Sequence, residues 1–225
     1  HIVARGWFRN NQPRDELASL SAEFAETVCR YSGIEMEMIG LTGSILLGLH
    51  GPSSDIDLAF YSAKNAYPVI EALATLRKEG KTRPVDLRHS HDLEAKRSDS
   101  SVPLSEWIRH ESRKLLYGIY RGVVYSAKIV PLPDEYWERY GSAIWRELGR
   151  VVLTAEVTDD SRSIFTPNEY GIRVLEVVRG PEEGYRCGVL ASLRSRFAEQ
   201  AKIGERVRVS GRLEVDLKSW SYRIF

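Results

Sequence analysis

Three aspartates and a Gly-Ser pair are the residues in this chain whose types and spacing carry chemistry. Asp55 and Asp57 flank Ile56, and alternation along a strand puts both carboxylates on one face, about 7 Å apart along the chain. Asp86 sits in a second hydrophobic-acid-hydrophobic triplet, Val85-Asp86-Leu87, the place expected for a third carboxylate on a neighbouring strand. Ten residues separate the pair Gly43-Ser44 from Asp55. A glycine at a strand-to-helix junction lets backbone approach phosphate oxygens with no Cβ in the way. The free amides of the helix that follows face the same anion, and Ser44 adds a hydroxyl donor. Converging carboxylates are the ligands magnesium prefers, and a pair of divalent ions can clamp the attacking and leaving oxygens of a phosphate displacement. The chemistry expected is therefore on a triphosphate.

The elements that must position these residues follow from periodicity. Leu17, Leu20, Phe24, Val28 and Tyr31 recur at helical spacing over 15–31, with Gly33 as a stop. Residues 36–41 read as a strand, 45–49 as a short buried helix, and Gly51-Pro52-Ser53-Ser54 as a turn. A strand over 55–61 places Ile56, Leu58 and Phe60 on one side and the two aspartates on the other. A helix over 68–79 closes at Gly80, and 84–88 reads as a short strand. The polar stretch 90–103 reads as a loop and 105–117 as a helix. A hairpin over 120–130 turns at Arg121-Gly122, and a short aromatic-rich helix with Tyr136, Trp137 and Tyr140 follows Pro133. Strands over 151–157, 171–178, 188–193, 205–215 and 220–224, with one helical insert near 197–201, predict a small OB-like β-barrel. The division expected is a domain of residues 1–146 and a barrel of residues 147–225.

Gly43-Ser44, Asp55-Ile56-Asp57-Leu58 and Val85-Asp86-Leu87 together resemble the signature of the polymerase beta-like nucleotidyltransferases. The resemblance covers about residues 35–90. The segment from Gly40 to His50 is similar to archaeal proteins described as predicted nucleotidyltransferases. That likeness extends into Ser163-Ile164-Phe165-Thr166-Pro167 and the region from Phe197 to Gln200. The family implies an α/β (α+β) fold with a mixed sheet and flanking helices, and an NTP such as ATP as substrate. By the same resemblance, Asp55 and Asp57 bind both metals (magnesium or manganese), while Asp86 binds the catalytic one and helps deprotonate an acceptor hydroxyl. Transfer of an NMP to RNA, a protein side chain or a small molecule, with release of pyrophosphate, is the activity implied. The bland alternative makes Asp55 a turn residue and Asp57 and Asp86 solvated edge residues, although aspartate is disfavoured in strands and two on one face repel. A binding module without turnover, or an antitoxin-like scaffold, would keep the same fold.

Other residues offer less specific readings. His89 and His91, with Asp92 beside them, could reach one zinc ion or form a solvated strand end. His50 could touch phosphate or cap a helix end, and Lys64, Arg83 and Arg88 could pair with triphosphate or be ordinary surface charge. No Gly-x-Ser-x-Gly elbow surrounds Ser44, and no Walker-type loop is present. In the barrel, Arg206, Arg208 and Arg212 alternate with Val207, Val209 and Leu213, so arginines would face outward. Small barrels of this kind bind single-stranded nucleic acid through a basic groove with stacking aromatics, for which Trp220, Tyr222 and Phe225 are candidates unless they fill the core.

Bulk properties set the frame. Lys plus Arg (32) nearly cancels Asp plus Glu (31), so any basic surface must be local. Two distant cysteines, Cys29 and Cys187, point to a reducing compartment, the cytoplasm, rather than a disulfide framework. No run of apolar residues is long enough for a membrane span, and no signal peptide is visible. The chain opens on His1 rather than Met, which fits a trimmed upstream piece, and abundant arginine with only two glutamines leans toward a thermophile.

Overall fold

Asp15 starts the first long helix by leaving the helical region itself. Its backbone is extended (φ −156°, ψ 178°), and its carboxylate accepts the Ala18 N–H at 2.9 Å. The computed structural model describes residues 4–10, 13–86 and 104–225. Strand β1 (Ala4–Arg5) and a short helix α1 (Trp7–Asn10) precede α2 (Glu16–Ser32), which Gly33 ends in the left-handed region at φ 71°. A 3-10 turn over Met36–Met38 replaces the first half of the expected strand, leaving β2 as Ile39–Leu41. Helix α3 (Gly43–Leu47) begins earlier than periodicity implied, and it is not buried: Leu47 and Leu49 are exposed, and only Ile45 is buried. Strand β3 (Ile56–Tyr61) leads to α4 (Ala66–Lys78), which closes at Gly80 with Lys81 N–H on the Leu76 carbonyl.

Strand β4 (Thr82–Arg83) lies ahead of the triplet that holds Asp86, whereas a strand over 84–88 was expected; residues beyond Asp86 fall outside the described ones. So do Arg88, His89, His91 and the stretch 90–103. Helix α5 (Leu104–Ser112) is shorter than predicted, and β5 (Tyr117–Tyr120) takes the last residue of the expected span. A hairpin joins β5 to β6 (Val123–Val130), with Arg121 at φ 45° and Gly122 at φ 88°, the two positive angles a type I′ turn requires.

The sheet runs β1-β2-β3-β6-β5-β4, and it is mixed: β3 and β6 are parallel and the other pairs antiparallel. Ile56, Leu58 and Phe60 share a face with Tyr125, Ala127 and Ile129, and all are buried. Phe24 of α2 packs on that face, its ring 4.6 Å from Tyr120 and 4.7 Å from Tyr125. Arg77, in the last turn of α4, donates to the Lys114 and Tyr117 carbonyls at 3.3 Å. A Cβ at Gly118 would stand 2.6 Å from its guanidinium, which explains the missing side chain there. Phe24→Ala is expected to cost the first unit about 3–5 kcal/mol, read as a lower denaturation midpoint in urea.

Two compact units divide at Leu132/Pro133, ahead of the composition change near 147. The segment after Pro133 forms turns, not the expected aromatic helix, and it packs on the barrel. Trp137 donates its indole N–H to Glu169 at 3.1 Å and meets the Phe165 ring at 5.8 Å. Five strands then close a barrel: β7 (Trp145–Asp159), β8 (Asn168–Arg179), β9 (Cys187–Ser192), β10 (Arg206–Asp216) and β11 (Tyr222–Ile224). Their order is β10-β11-β9-β8-β7, with β9 and β11 parallel and β7 paired back on β10. Val151, Leu153, Ala155, Val157, Leu213 and Val215 fill the interior. The helical insert is a single 3-10 turn, Ser195–Phe197, tied down by the Tyr170 hydroxyl, which donates to the Phe197 carbonyl at 2.5 Å. Among the described residues no helix is long and apolar enough to cross a membrane.

Asp216 ties the β10–β11 turn. It accepts from the Ser219 hydroxyl at 2.6 Å, from the Ile144 N–H at 2.8 Å, and from the Lys218 and Ser219 N–H groups at 3.1 Å. These donors, the Ser219 hydroxyl foremost, hold its carboxyl down at about 2. A depressed folded-state value stabilises fully above the ordinary carboxylate range, and that contribution fades as pH falls toward 2. Asp216→Asn is thus expected to lower the barrel's thermal midpoint by a few degrees at neutral pH. In a pH series of melts, the gap to the parent should narrow in acid.

Candidate active site

Asp57 is held from two sides. The Ser126 hydroxyl, on the neighbouring parallel strand and in register with Asp57, donates to Oδ1 at 2.5 Å. On the other side the carboxylate rests against Gly43 at the start of α3: a Cβ there would lie 2.9 Å from the Asp57 Cγ and closer still to Oδ2. Gly43 also takes φ 70°, a left-handed angle that side chains disfavour. Position 43 therefore has two independent reasons to be glycine. Thr42 closes the corner, its N–H on the Asp57 carbonyl at 3.0 Å.

Around this corner two polar groups are left unengaged. The Asp55 carboxylate is half-buried, two residues before Asp57, and makes no hydrogen bond or ion pair among the described residues. A carboxylate withdrawn from water without a partner is unfavourable unless a cation or ligand donor completes it. Ser44 is half-buried too, and its hydroxyl engages no described partner. The turn that presents Asp55 is closed by the Ser54 N–H on the Gly51 carbonyl at 3.0 Å and the Gly51 N–H on the Ser54 hydroxyl, also at 3.0 Å.

Asp86 is placed differently. Strands β6 and β5 lie between β3 and β4, so the strand leading to Asp86 is about 14 Å from the one carrying Asp57. Arg83 pairs with Asp86 at 2.5 Å instead of pointing to the Gly43 corner. Among the described residues no group of three or more His, Cys, Asp or Glu lies together in a way that could hold a metal ion. The structure thus brings Gly43 and Ser126 onto Asp57, with Ser44 next to Gly43 and Asp55 two residues before Asp57, while Asp86 follows the edge strand β4. His50 turns away to the N-cap of α2, with Nε2 2.9 Å from Asp15 Oδ2. Lys64 is exposed beyond the far end of β3.

Ser126 was not singled out from the sequence, although its signal was there. Tyr125, Ala127 and Ile129 mark one face of the hairpin strand as core, which leaves Ser126 and Lys128 on the face of Asp57. Only the pairing of β6 with β3 puts that serine opposite the aspartate.

Residues 21–113 match the family model described as nucleotidyltransferase domain. Over 183 residues it is 26% identical to an uncharacterized protein of Methanocaldococcus jannaschii, MJ1086. That match covers 81% of this chain and 52% of the relative, so the chain spans about half of that protein's length. No solved structure matches the chain significantly. Gly43→Ala is expected to destabilise the first unit by about 1–3 kcal/mol, because the left-handed backbone and the Asp57 carboxylate both oppose a methyl group. Chemical denaturation checks it, and an unchanged midpoint would contradict the close approach.

Proposed function

We propose that the first unit transfers a nucleoside monophosphate from an NTP to an acceptor hydroxyl and releases pyrophosphate. The observation that carries this reading is the Asp55 carboxylate, half-buried and unpartnered among the described residues, two residues before the Asp57 carboxylate that rests at the glycine-opened start of α3. In the reaction the acceptor oxygen bonds to the α-phosphorus as the bond to the β-phosphate bridge breaks, and the hydroxyl proton leaves to a base. The Gly43 backbone and the Ser44 hydroxyl receive the phosphate chain. Ser126 fixes the rotamer of Asp57, so that its carboxylate is preorganised rather than recruited.

Oxygen donors at Asp55 and Asp57 suit magnesium or manganese, and these residues would hold the ion. When bound, it offsets charge on the triphosphate and on the departing pyrophosphate. The part proposed for Asp86, aiding loss of the acceptor proton, rests on the resemblance of Val85-Asp86-Leu87 to the family motif. Acceptors compatible with this chemistry are RNA, a protein side chain or a small molecule. A cytoplasmic setting, where NTPs are made and thiols such as Cys29 and Cys187 stay reduced, fits the reading.

Incubation with labelled NTP, manganese or magnesium, and cellular RNA or protein tests it. Asp55→Asn and Asp57→Asn are each expected to lower label incorporation on the order of 100-fold or more. Unchanged incorporation in both would remove the assignment. Nucleotide binding without any incorporation would favour the binding module, and retention of a protein partner with no nucleotide binding would favour the scaffold. An equal loss in Asp86→Asn would place that carboxylate in the working site, and a near-parental rate would leave a two-carboxylate centre.

A further inference from the structure

In a chain that is almost neutral, the barrel gathers arginines on one of its faces. Across the face formed by β10, β7 and β8, the register sets Arg206 beside Glu156 and then Arg173, Arg208 beside Thr154 and then Glu176, and Arg212 beside Arg150. Arg179 lies opposite Val152. All six arginines are exposed. Glu156 takes Arg173 at 2.7 Å, and Glu147 approaches Arg212 at 3.9 Å. Arg150, Arg179, Arg206 and Arg208 have no ion-pair partner among the described residues. Like charges directly opposite on paired strands, as at Arg150 and Arg212, destabilise a sheet unless an anion lies over them. Alternate arginines on β10 stand about 7 Å apart, a spacing comparable to that of successive phosphates on an extended strand.

A second feature adjoins this face. Phe225 sits beside Arg212, hydrogen-bonded to it by both backbone groups, with the guanidinium 5.8 Å from the ring centroid. On its other side Phe225 lines a cleft of about 350 Å3 together with Trp137, Tyr140, Leu193 and Arg223. Tyr140 lies wholly in solvent, and Leu193 is exposed. Arg223 stacks between rings, 3.7 Å from the Trp145 centroid and 4.9 Å from that of Phe225.

We propose that the barrel binds single-stranded nucleic acid, with its phosphates along the β10–β7–β8 arginines and a base in the Tyr140–Phe225 cleft. An arginine row by itself would suit any polyanion. The aromatic cleft chooses among them, because an unpaired base stacks on such rings while an acidic peptide has nothing to put there and a duplex keeps its bases stacked inside. The surface supplies an acceptor or guide strand to the proposed transferase and to that extent rests on that reading, but binding itself needs no turnover.

Fluorescence anisotropy of a labelled single-stranded RNA with the full chain, across a salt series, tests the surface. The association constant is expected to fall linearly with salt on logarithmic axes. In the variant R150Q/R206Q/R208Q, affinity should drop about tenfold or more and the slope should flatten by about 2, near 0.7 for each phosphate no longer neutralised. Tyr140→Ala should weaken the oligonucleotide several-fold while leaving inorganic polyphosphate binding unchanged. Asp57→Asn should bind RNA like the parent, and a single-stranded DNA arm reports whether the sugar matters within the same class. Parental affinity in the triple arginine variant would overturn the proposal, as would polyglutamate or duplex binding as tightly as the single strand. RNA binding without label transfer would sink the transferase reading and leave this surface standing; label transfer without RNA binding would do the reverse.

Discussion

The placement of one carboxylate, that of Asp57, constrains the whole candidate site. Its Oδ1 is taken by the Ser126 hydroxyl and its Oδ2 lies over Gly43, so strand β3, strand β6 and helix α3 must all meet at one point. The parallel pairing of β3 with β6 supplies the first contact, and the left-handed start of α3 supplies the second. The core behind the sheet serves this meeting: Phe24 against Tyr120 and Tyr125 holds α2 on the far face, leaving the face of Asp57 and Ser126 for polar work.

The barrel solves a separate problem, and its charge pattern goes beyond what folding needs. Valines and leucines alternate inward on β7 and β10 and fill the interior. The outward positions carry arginines in excess over the acids that face them, including a directly opposed pair. Such a surface costs stability in the absence of an anion, which is the physical reason to read it as a binding face rather than a solubilising one.

Local signals were legible where one residue decides the geometry. Asp15 and Gly33 bound α2, Gly80 ends α4, and Arg121-Gly122 turns the hairpin, each by a side-chain cap or a positive φ that depends on no distant partner. The five barrel strands were also readable, since period-two alternation survives translation into a closed sheet. Readings failed where burial is set by what lies opposite. Leu47 and Leu49 look like core residues and are exposed. Tyr136, Trp137 and Tyr140 look like a helix face, yet they form turns because Trp137 finds Glu169 and Phe165 on the barrel.

By itself the sequence determined the local corner: a glycine at a strand-to-helix junction, a serine after it, and two aspartates at alternate positions where a short strand begins. These follow from chirality and strand alternation, which act over a few residues. Tertiary structure alone decided which strand lies beside β3. That choice put Ser126 opposite Asp57 and set the strand leading to Asp86 beyond two intervening ones, and strand pairing in the barrel likewise gathered arginines from three strands onto one face, because hydrogen-bonded neighbours in a sheet are selected by packing across the chain and leave no mark in local spacing.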